Sequence, residues 1–442
     1  MPKTIHEIRD PIHVFVRLDS AERKVLDSRP LQRLRHIHQL GLSYLVYPSA
    51  THKRFEHSLG VMELATRVFD VVTHRHAVKE DVAQLLPEIK DEDQLRYWRK
   101  VLRIAALCHD IGHLPFSHVA EKDLLPEGWD HERLTREIIL SGEMKALWDE
   151  ITPPLRPDHI VKLAIGPRKV RMPFTAWEEI LAEIIVGDAF GADRMDYLLR
   201  DSHHTGVAYG NFDHYRLIDT LRILPSSPTS DTEGSKEPTL GVQQGGLRSA
   251  EALLLSRFFM YAQLYIHSVR RIYDSHMLDF LTNYLGGTFS TQIENHLQVT
   301  DNEITAALLE AARDGTKRGH DAARRIVERK HFRLLYQRNP TDQAVNTEAT
   351  LAVFEAAKGE FGENNVKYDK YSQTGGPVDF PVEAKDGRIE SAIAMSETLK
   401  DIPVYATEYV FVAPEIRKKA EDWVHKNRSE IIKPKGEEED EA

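Results

Sequence analysis

The segment Val101–Cys108, VLRIAALC, constrains the fold more than any other part of the chain. Apart from Arg103 it is apolar on every side, which is typical of a helix in the middle of a bundle. It runs directly into His109 and Asp110, so two ionisable side chains stand where a buried helix ends. Buried ionisable groups are costly unless they are paired or bind a metal, and the segment therefore predicts a functional site inside a helical bundle.

Apolar stripes extend the helical prediction over the first 220 residues. One stripe has spacings of four, three, four and four and consists of His57, Val61, Leu64, Val68 and Val72. Its period is that of a helix, so His57 projects from the buried side. A second helix, within residues 178–201, is predicted to break or kink near Gly187 and Gly191. After the break, Asp193, Tyr197 and Asp201 lie on one face, because residues four apart lie above one another.

The character of the chain changes after Asn339-Pro340. Segments such as 402–413, IPVYATEYVFVA, are rich in β-branched and aromatic residues, which is typical of strands. We therefore predict a mainly α fold, a helical bundle with a smaller α+β C-terminal lobe. The predicted ranges are a helical core over 1–290, a helical extension over 291–338, an α+β lobe over 339–426 and a disordered acidic tail over 427–442.

Four side chains are candidate ligands of one metal ion: His57, His109, Asp110 and Asp193. Adjacent helix residues point about 100° apart, so His109 and Asp110 can share an ion only where other elements meet the helix end. Taken alone, a histidine such as His57 on an apolar face is more often a hydrogen-bonded core residue than a ligand, and Asp193 is also consistent with a helix N-cap. Together, two imidazoles and two carboxylates form a mixed site that suits Mn, Fe, Ni or Zn better than Ca.

A zinc-peptidase motif is the competing interpretation of this segment. His109 and His113 have the i, i+4 spacing of H-E-x-x-H. Residue 110 is Asp rather than Glu, however, and Gly112 with Leu114-Pro115 indicates that the helix has already ended. The sequence therefore disfavours a peptidase.

Composition excludes several classes of protein. The chain has 58 Lys and Arg against 69 Asp and Glu, a net charge of −11, which disfavours a general nucleic-acid binder. Cys108 is the single cysteine, so the chain has no intramolecular disulfide and fits a reducing compartment. No uncharged apolar run reaches the roughly 18 residues of a transmembrane helix. We expect a cytoplasmic protein without a membrane partner.

Six motifs together resemble one known family: DPIH (10–13), QRLRHIHQLG (32–41), RFEHSLGV (54–61), CHDIGHLPFSH (108–118), DHE (130–132) and DRMDYLLRDSHH (193–204). In this order they resemble the HD-domain phosphohydrolases and, within them, the dNTP triphosphohydrolases. The resemblance covers residues 8–285 well and 324–337 weakly. It implies an HD-type bundle over 1–290 that hydrolyses dNTP at the α-phosphorus to deoxynucleoside and inorganic triphosphate, using a metal-activated water.

The resemblance assigns roles to the residues around the metal. Its four metal ligands fall on the same set, His57, His109, Asp110 and Asp193. Its catalytic residues fall on His113, His131, His118 and Glu132. An ordinary position in the first turn of a helix is the alternative for His131, and the proton donor among the three histidines stays open.

The family's substrate contacts also have counterparts in this chain. Phosphate-binding positions match Arg54, Arg194 and Arg257, for which surface ion pairs are the alternative, and Mg²⁺ would accompany the phosphates. Deoxyribose-binding positions match Gln39, Leu40, Tyr197, Asp201 and Tyr265. For Leu40 and Tyr265 the alternative is simple core packing.

Some members of the family assemble as tetramers when dGTP or GTP binds between subunits. The guanine-reading positions match Asp27, Gln32, Arg35 and Arg333. The chain departs from the family pattern at Arg9, Ser268 and Gln337, which weakens the case for a second regulatory nucleotide, and at Leu114, which would reshape the catalytic pocket. We expect a homotetramer, with dGTP or GTP as the activator that the resemblance suggests.

Two other functions stay open at this point. One is an HD-domain phosphodiesterase or nucleotidase that acts on another nucleotide or on single-stranded nucleic acid. The other is a nucleotide-sensing module with a vestigial site, against which the intact set of four metal ligands argues. The arginines and the sugar-binding residues favour a dNTP over a monophosphate.

Overall fold

The computed structural model describes residues 5–119, 121–226, 237–373 and 378–433, with the side chain of His118 also outside the description. The helices of the described part are α1 Ser20–Leu26, α2 Arg29–Arg33, α3 Arg54–Val72, α4 Glu80–Leu85, α5 Glu92–Cys108, α6 Glu121–Leu124, α7 His131–Ile139, α8 Gly142–Glu150, α9 Pro157–Ile165, α10 Ala176–Val186, α11 Ala192–Thr205, α12 His214–Thr220, α13 Leu247–Met260, α14 Ser268–Leu285, α15 Ile293–Leu297, α16 Asp301–Arg313, α17 His320–Val327, α18 Pro340–Val345, α19 Ala349–Phe361, α20 Ala392–Met395, α21 Glu397–Asp401 and α22 Arg417–Ile431. The strands are β1 Ile5–Asp10, β2 Val14–Asp19, β3 Leu221–Pro225, β4 Pro238–Gln243, β5 Arg333–Gln337, β6 Val366–Ser372, β7 Pro381–Glu383, β8 Ile389–Ser391 and β9 Ala406–Val412. This composition confirms the predicted fold class, mainly α with a smaller α+β part.

The chain forms two compact units that alternate along the sequence. The first unit consists of Met1–Met260, Thr288–Ile304 and Pro377–Pro403. The second consists of Tyr261–Gly287, Thr305–Gly376 and Val404–Ala442. The ranges predicted from the sequence, 1–290, 291–338, 339–426 and 427–442, stay predictions. Helix α22 continues to Ile431, and residues 434–442 of the predicted tail lie outside the described residues.

The first unit is a helical bundle around α5. Asp91 caps this helix by accepting hydrogen bonds from the amides of Asp93 and Gln94, and every residue from 101 to 108 is buried. Arg103 is the polar exception predicted from the sequence, and its guanidinium donates to both carboxylate oxygens of Glu22 at 2.6 and 3.0 Å. Burial raises the pKa of Glu22, but Arg103 and Lys100 lower it to about 2.

Helices α3 and α11 pack against each other beside α5. Their approach is close because Gly60 on α3 has no side chain: a Cβ there would lie 1.9 Å from the Asp196 carboxylate on α11. Among the described residues, two sheets complete this unit. Strands β1 and β2 form an antiparallel hairpin, and the other sheet has the order β3-β4-β7-β8, with Val242 of β4 paired in parallel to Val382 of β7.

The second unit has a three-stranded antiparallel sheet of order β5-β9-β6, in which Val366 pairs with Val412. Helices α19 and α22 contribute Val353, Ala357 and Val424 to the apolar core against this sheet. The strand over 402–413 predicted from aromatic and β-branched residues corresponds to β9. Among the described residues, the helices are all too short or too polar to cross a membrane.

Gly60→Ala should destabilise the first unit by about 3 kcal/mol, since the added methyl group must displace a buried carboxylate. Gly142→Ala is the control, because Gly142 lies at the exposed start of α8 and a Cβ added there would meet nothing within 4 Å. Its effect should stay within about 0.5 kcal/mol. Urea unfolding followed by circular dichroism measures both, and equal stabilities would contradict the close approach of α3 and α11.

Candidate metal centre and active site

Three elements bring the four predicted metal ligands to one place in the first unit. His57 lies on α3, His109 and Asp110 follow the last turn of α5, and Asp193 lies in the first turn of α11. The Nε2 atom of His57 is 3.0 Å from Asp193 Oδ1 and 3.8 Å from Asp110 Oδ2. The Nε2 atom of His109 is 3.4 Å from Asp110 Oδ1 and 3.6 Å from Asp193 Oδ1.

The donor atoms of this group fit a divalent metal ion. Nδ1 of His109 donates to the carbonyl of Ala106 at 2.8 Å, which leaves its buried Nε2 without a hydrogen-bond partner. His57, His109 and Asp110 are buried, and each presents a ligand atom within 4.8 Å of the others. Two imidazole nitrogens and carboxylate oxygens in one buried group are a donor set for a transition-metal ion.

The charges around the group attract a cation. Burial lowers the pKa of His57, but its hydrogen bonds to Asp193 and Asp196 raise that pKa to about 10. Burial raises the pKa of Asp193, yet the imidazoles of His109 and His57 hold it well below its ordinary value. The same negative potential that favours a proton on His57 favours a metal ion in its place.

Arg54, a predicted phosphate ligand, lies directly beside the metal group. Its Nη1 donates to Asp110 Oδ2 at 2.5 Å, and its Nε and Nη2 donate to Ser117 Oγ at 3.2 and 2.9 Å. The guanidinium is buried, so its charge is only weakly screened there. Burial raises the pKa of Asp110, but Arg54 and the two neighbouring imidazoles hold it well below its ordinary value.

A pair of histidines adjoins the metal group. His113 Nε2 lies 3.2 Å from Asp110 Oδ1, and its ring stacks on that of His131 with 4.0 Å between centroids. His131 is the first residue of α7, and Glu132 Oε2 is 3.2 Å from its Nδ1. The structure therefore brings together His113, His131 and Glu132, whereas the side chain of His118 lies outside the described residues.

Glu121 is a residue of this site that the sequence did not reveal. Its Oε1 accepts hydrogen bonds from His131 Nδ1 at 2.7 Å and from the His131 amide at 2.9 Å. Burial lowers the pKa of His131, but the carboxylates of Glu121 and Glu132 raise it. The pKa of His113 is instead well below its ordinary value because of burial and the charges of Arg54 and His131.

The predicted sugar-binding residues of the first unit lie on two adjacent segments. Residues 37–39 pair with 52–54, as seen in the Gln39 amide donating to the His52 carbonyl at 3.0 Å. His52 also connects this segment to α11, since its Nε2 lies 2.7 Å from Asp201 Oδ1. Leu40 and Asp201 are buried, and Tyr197 is one turn beyond Asp193 on α11. Tyr265 belongs to the second unit.

The remaining predicted residues have these positions. Arg194 donates to the Gly187 carbonyl at 3.2 Å and to Asp188 at 3.4 Å, and Arg257 lies on α13. Three of the four regulatory candidates lie in the first unit, and two of them are in contact, since Arg35 Nε donates to Gln32 Oε1 at 2.9 Å. Asp27 is the C-cap of α1 and accepts from Arg23 Nε at 2.7 Å. Arg333 lies on β5 of the second unit.

Asp301 fixes the loop that carries His113. Phe116 and Ser117 have φ angles of 55° and 61°, which are costly for residues other than glycine. The buried Asp301 accepts from the Phe116 amide through Oδ1 at 2.7 Å, and from the His38 amide and Nδ1 through Oδ2 at 2.8 and 2.6 Å. These bonds hold Ser117 where Arg54 reaches it.

Asp301→Asn should loosen this loop, because the amide NH₂ would face the His38 donors in place of a carboxylate oxygen. We expect a loss of about 1–3 kcal/mol in unfolding free energy and faster hydrogen exchange at the Phe116 amide. The exposed neighbour provides the control, since Asn302→Ala should change stability by less than about 0.5 kcal/mol. Urea unfolding and hydrogen-exchange mass spectrometry measure both, and unchanged exchange at 114–119 would contradict the assigned contacts.

Comparison with known proteins places this site in a family context. The HD-domain model matches residues 54–151, and the model of the HD-associated region matches residues 212–363. A crystal structure of a hypothetical protein from Aquifex aeolicus is similar over 95% of this chain and 99% of its own, with 31% identity and a TM-score of 0.75.

Two curated proteins illustrate the range of relatives. An uncharacterized protein of Methanocaldococcus jannaschii is 38% identical over 268 residues, which are 61% of this chain and 47% of that protein. The human deoxynucleoside triphosphate triphosphohydrolase SAMHD1 is 28% identical over 375 residues, 77% of this chain and 56% of that protein. The chain thus spans about half the length of the curated relatives it matches.

Proposed function

The chain belongs to the HD-domain family of metal-dependent phosphohydrolases, and from this premise we propose that its substrates are deoxynucleoside triphosphates. Cleavage at the α-phosphorus would yield deoxynucleoside and inorganic triphosphate. One observation carries the proposal: His113 lies 3.2 Å from Asp110 in the metal group and stacks on His131, so an acid–base pair adjoins the metal ligands. The name of the human relative supplies the substrate class.

The residues that would hold the metal are His57, His109, Asp110 and Asp193. A divalent ion such as Mn, Fe, Ni or Zn bound there would supply an activated water near neutral pH and would withdraw charge from the phosphate. Asp110 also accepts a hydrogen bond from Arg54, so this carboxylate joins the metal group to a phosphate-binding cation. Arg194 and Arg257 are the other proposed phosphate ligands, with Mg²⁺ on the outer phosphates.

His131 is our choice of proton donor. Glu121 raises its pKa, so the imidazole is protonated over a wider pH range and can give its proton to the 5′-oxygen as the bond from phosphorus to that oxygen breaks. His113 faces Asp110 and is held neutral by its surroundings, which suits a hydrogen-bonding role next to the phosphate. His118 and Glu132 complete the proposed catalytic set.

Selection of deoxyribose is assigned to Gln39, Leu40, Tyr197, Asp201 and Tyr265. His52 holds the Asp201 carboxylate through the 2.7 Å contact, which leaves that side chain little freedom. A site with fixed polar groups and no room for a 2′-hydroxyl discriminates against ribonucleotides more strongly than an apolar wall alone.

Assembly and regulation are part of the proposal. We propose a cytoplasmic homotetramer activated by dGTP or GTP, with Asp27, Gln32, Arg35 and Arg333 as the guanine-reading residues. The bond between Gln32 and Arg35 orders two of these side chains before any nucleotide binds. Analytical ultracentrifugation with and without GTP tests this part separately from catalysis.

Product analysis tests the reaction. The protein is incubated with Mn²⁺ or Mg²⁺ and each dNTP, alone, with GTP and as a mixture of all four, and the products are separated by ion exchange. We expect deoxynucleoside and intact triphosphate, loss of turnover with a chelator, and recovery when metal is returned. Release of diphosphate or single phosphate would refute cleavage at the α-phosphorus. Turnover of another phosphoester alone would favour a different HD-domain phosphodiesterase.

Glu121→Gln tests the proton donor. Without the carboxylate the pKa of His131 falls, so the protonated acid is lost at lower pH. The alkaline limb of kcat/KM should therefore move to lower pH by about one unit. Glu127→Gln, an exposed position in the same segment, is the control and should leave the profile unchanged. An unshifted limb in Glu121→Gln would assign the proton donor elsewhere.

A further inference from the structure

The DPIH motif at residues 10–13 has no part in the proposed chemistry, yet both of its polar side chains are buried. Asp10 and His13 are 3% and 2% exposed. Asp10 Oδ1 accepts from the amides of Ile12 and His13 at 2.9 and 2.8 Å and so fixes the turn between β1 and β2. Its Oδ2 accepts from Arg200 Nη1 on α11 at 2.8 Å.

The motif and Arg200 converge on Asp196, which is fully buried. Asp196 Oδ1 accepts from His13 Nε2 at 2.7 Å and from Arg200 Nη2 at 3.0 Å. Asp196 Oδ2 accepts from Arg200 Nε at 2.8 Å. A fourth contact connects this network to the candidate metal group: the same Oδ2 lies 2.8 Å from Nδ1 of His57.

That fourth contact determines which nitrogen of His57 can bind metal. A carboxylate oxygen only accepts hydrogen bonds, so Nδ1 of His57 carries the proton that Asp196 receives. The lone pair of the neutral ring is then on Nε2, the atom that faces Asp110 and Asp193. Carboxylates that orient a ligating imidazole in this way raise metal affinity in many metalloproteins.

We infer that Asp196 is a positioning residue of the metal centre, held by Asp10, His13 and Arg200, and that this network sets the affinity of the site for a divalent cation. The inference rests on the proposed metal site and adds residues outside it. Arg200 pairs its guanidinium with two carboxylates at once, so Asp196 can stay charged although it is buried. Gly60 leaves the space that this carboxylate occupies.

Metal binding by the full chain tests the inference without any substrate. Metal-free protein is titrated with Zn²⁺ or Mn²⁺ against a chromophoric chelator, and unfolding is followed in parallel. Asp196→Asn retains the shape but places an NH₂ group where an acceptor is needed, so we expect the Kd for metal to rise about 10–100-fold. Glu178→Gln is the matched control, because Glu178 is also buried and pairs with Lys162 at 2.8 Å but contacts none of the ligands.

The outcomes separate positioning from general stabilisation. Both variants should lose stability, but Glu178→Gln should bind metal like the unchanged protein. If Asp196→Asn fails to fold, His13→Gln replaces it, since Asp196 and Arg200 then remain paired and a smaller rise in Kd is expected. An unchanged Kd in folded Asp196→Asn, or in His13→Gln if that variant replaces it, would overturn this inference and leave the proposed metal site standing. Absence of metal binding by the unchanged protein would overturn the proposed metal site as well.

Discussion

The meeting of α3 and α11 depends on buried charge. Helices usually pack through apolar side chains, but here a glycine on α3 admits the Asp196 carboxylate, and Arg200 compensates that carboxylate from the next turn. A buried ion pair contributes little net stability, since desolvation offsets its attraction, but removal of one partner is severe. Such a contact favours one arrangement of the two helices over its neighbours, and the candidate metal ligands His57 and Asp193 lie on these helices.

Buried arginine–carboxylate pairs are distributed through the core of the first unit. Arg103 and Glu22 join the N-terminal segment to α5. Arg200 and Asp196 form a pair on the Nδ1 side of His57. Arg54 and Asp110 form a pair on its Nε2 side. Each arginine thus has a carboxylate partner, but Asp193 faces the two imidazoles instead, and this is the position at which a divalent cation would complete the balance.

The sequence could predict which side chains meet in the candidate metal group because their signals are local. A buried helix that ends in His-Asp, a histidine on an apolar stripe and an acidic helix face are each visible within one or two turns. The supporting residues give no such signal. Asp196 lies 139 residues from His57, and Asp301 lies 185 residues from Phe116, so only the fold reveals these pairs. The left-handed turn at Phe116 and Ser117 was equally invisible, because neither residue is a glycine. The alternation of the two units along the chain could not be predicted from composition either. It depends on contacts such as the parallel pairing of β4 with β7, which exist only in the folded sheet.

This alternation has a consequence for synthesis on the ribosome. The chain is synthesised from its N-terminus at about 5–20 residues per second. Asp10 therefore has no ion-pair partner until Arg200, 190 residues later, has been added. The loop at Phe116 gains its carboxylate only when Asp301 appears, and β4 gains its parallel neighbour only with Val382. The nascent first unit therefore exposes unpaired charges and an open sheet edge until most of the chain has been made. An open strand edge of this kind makes a growing polypeptide prone to aggregation, the condition against which chaperones act.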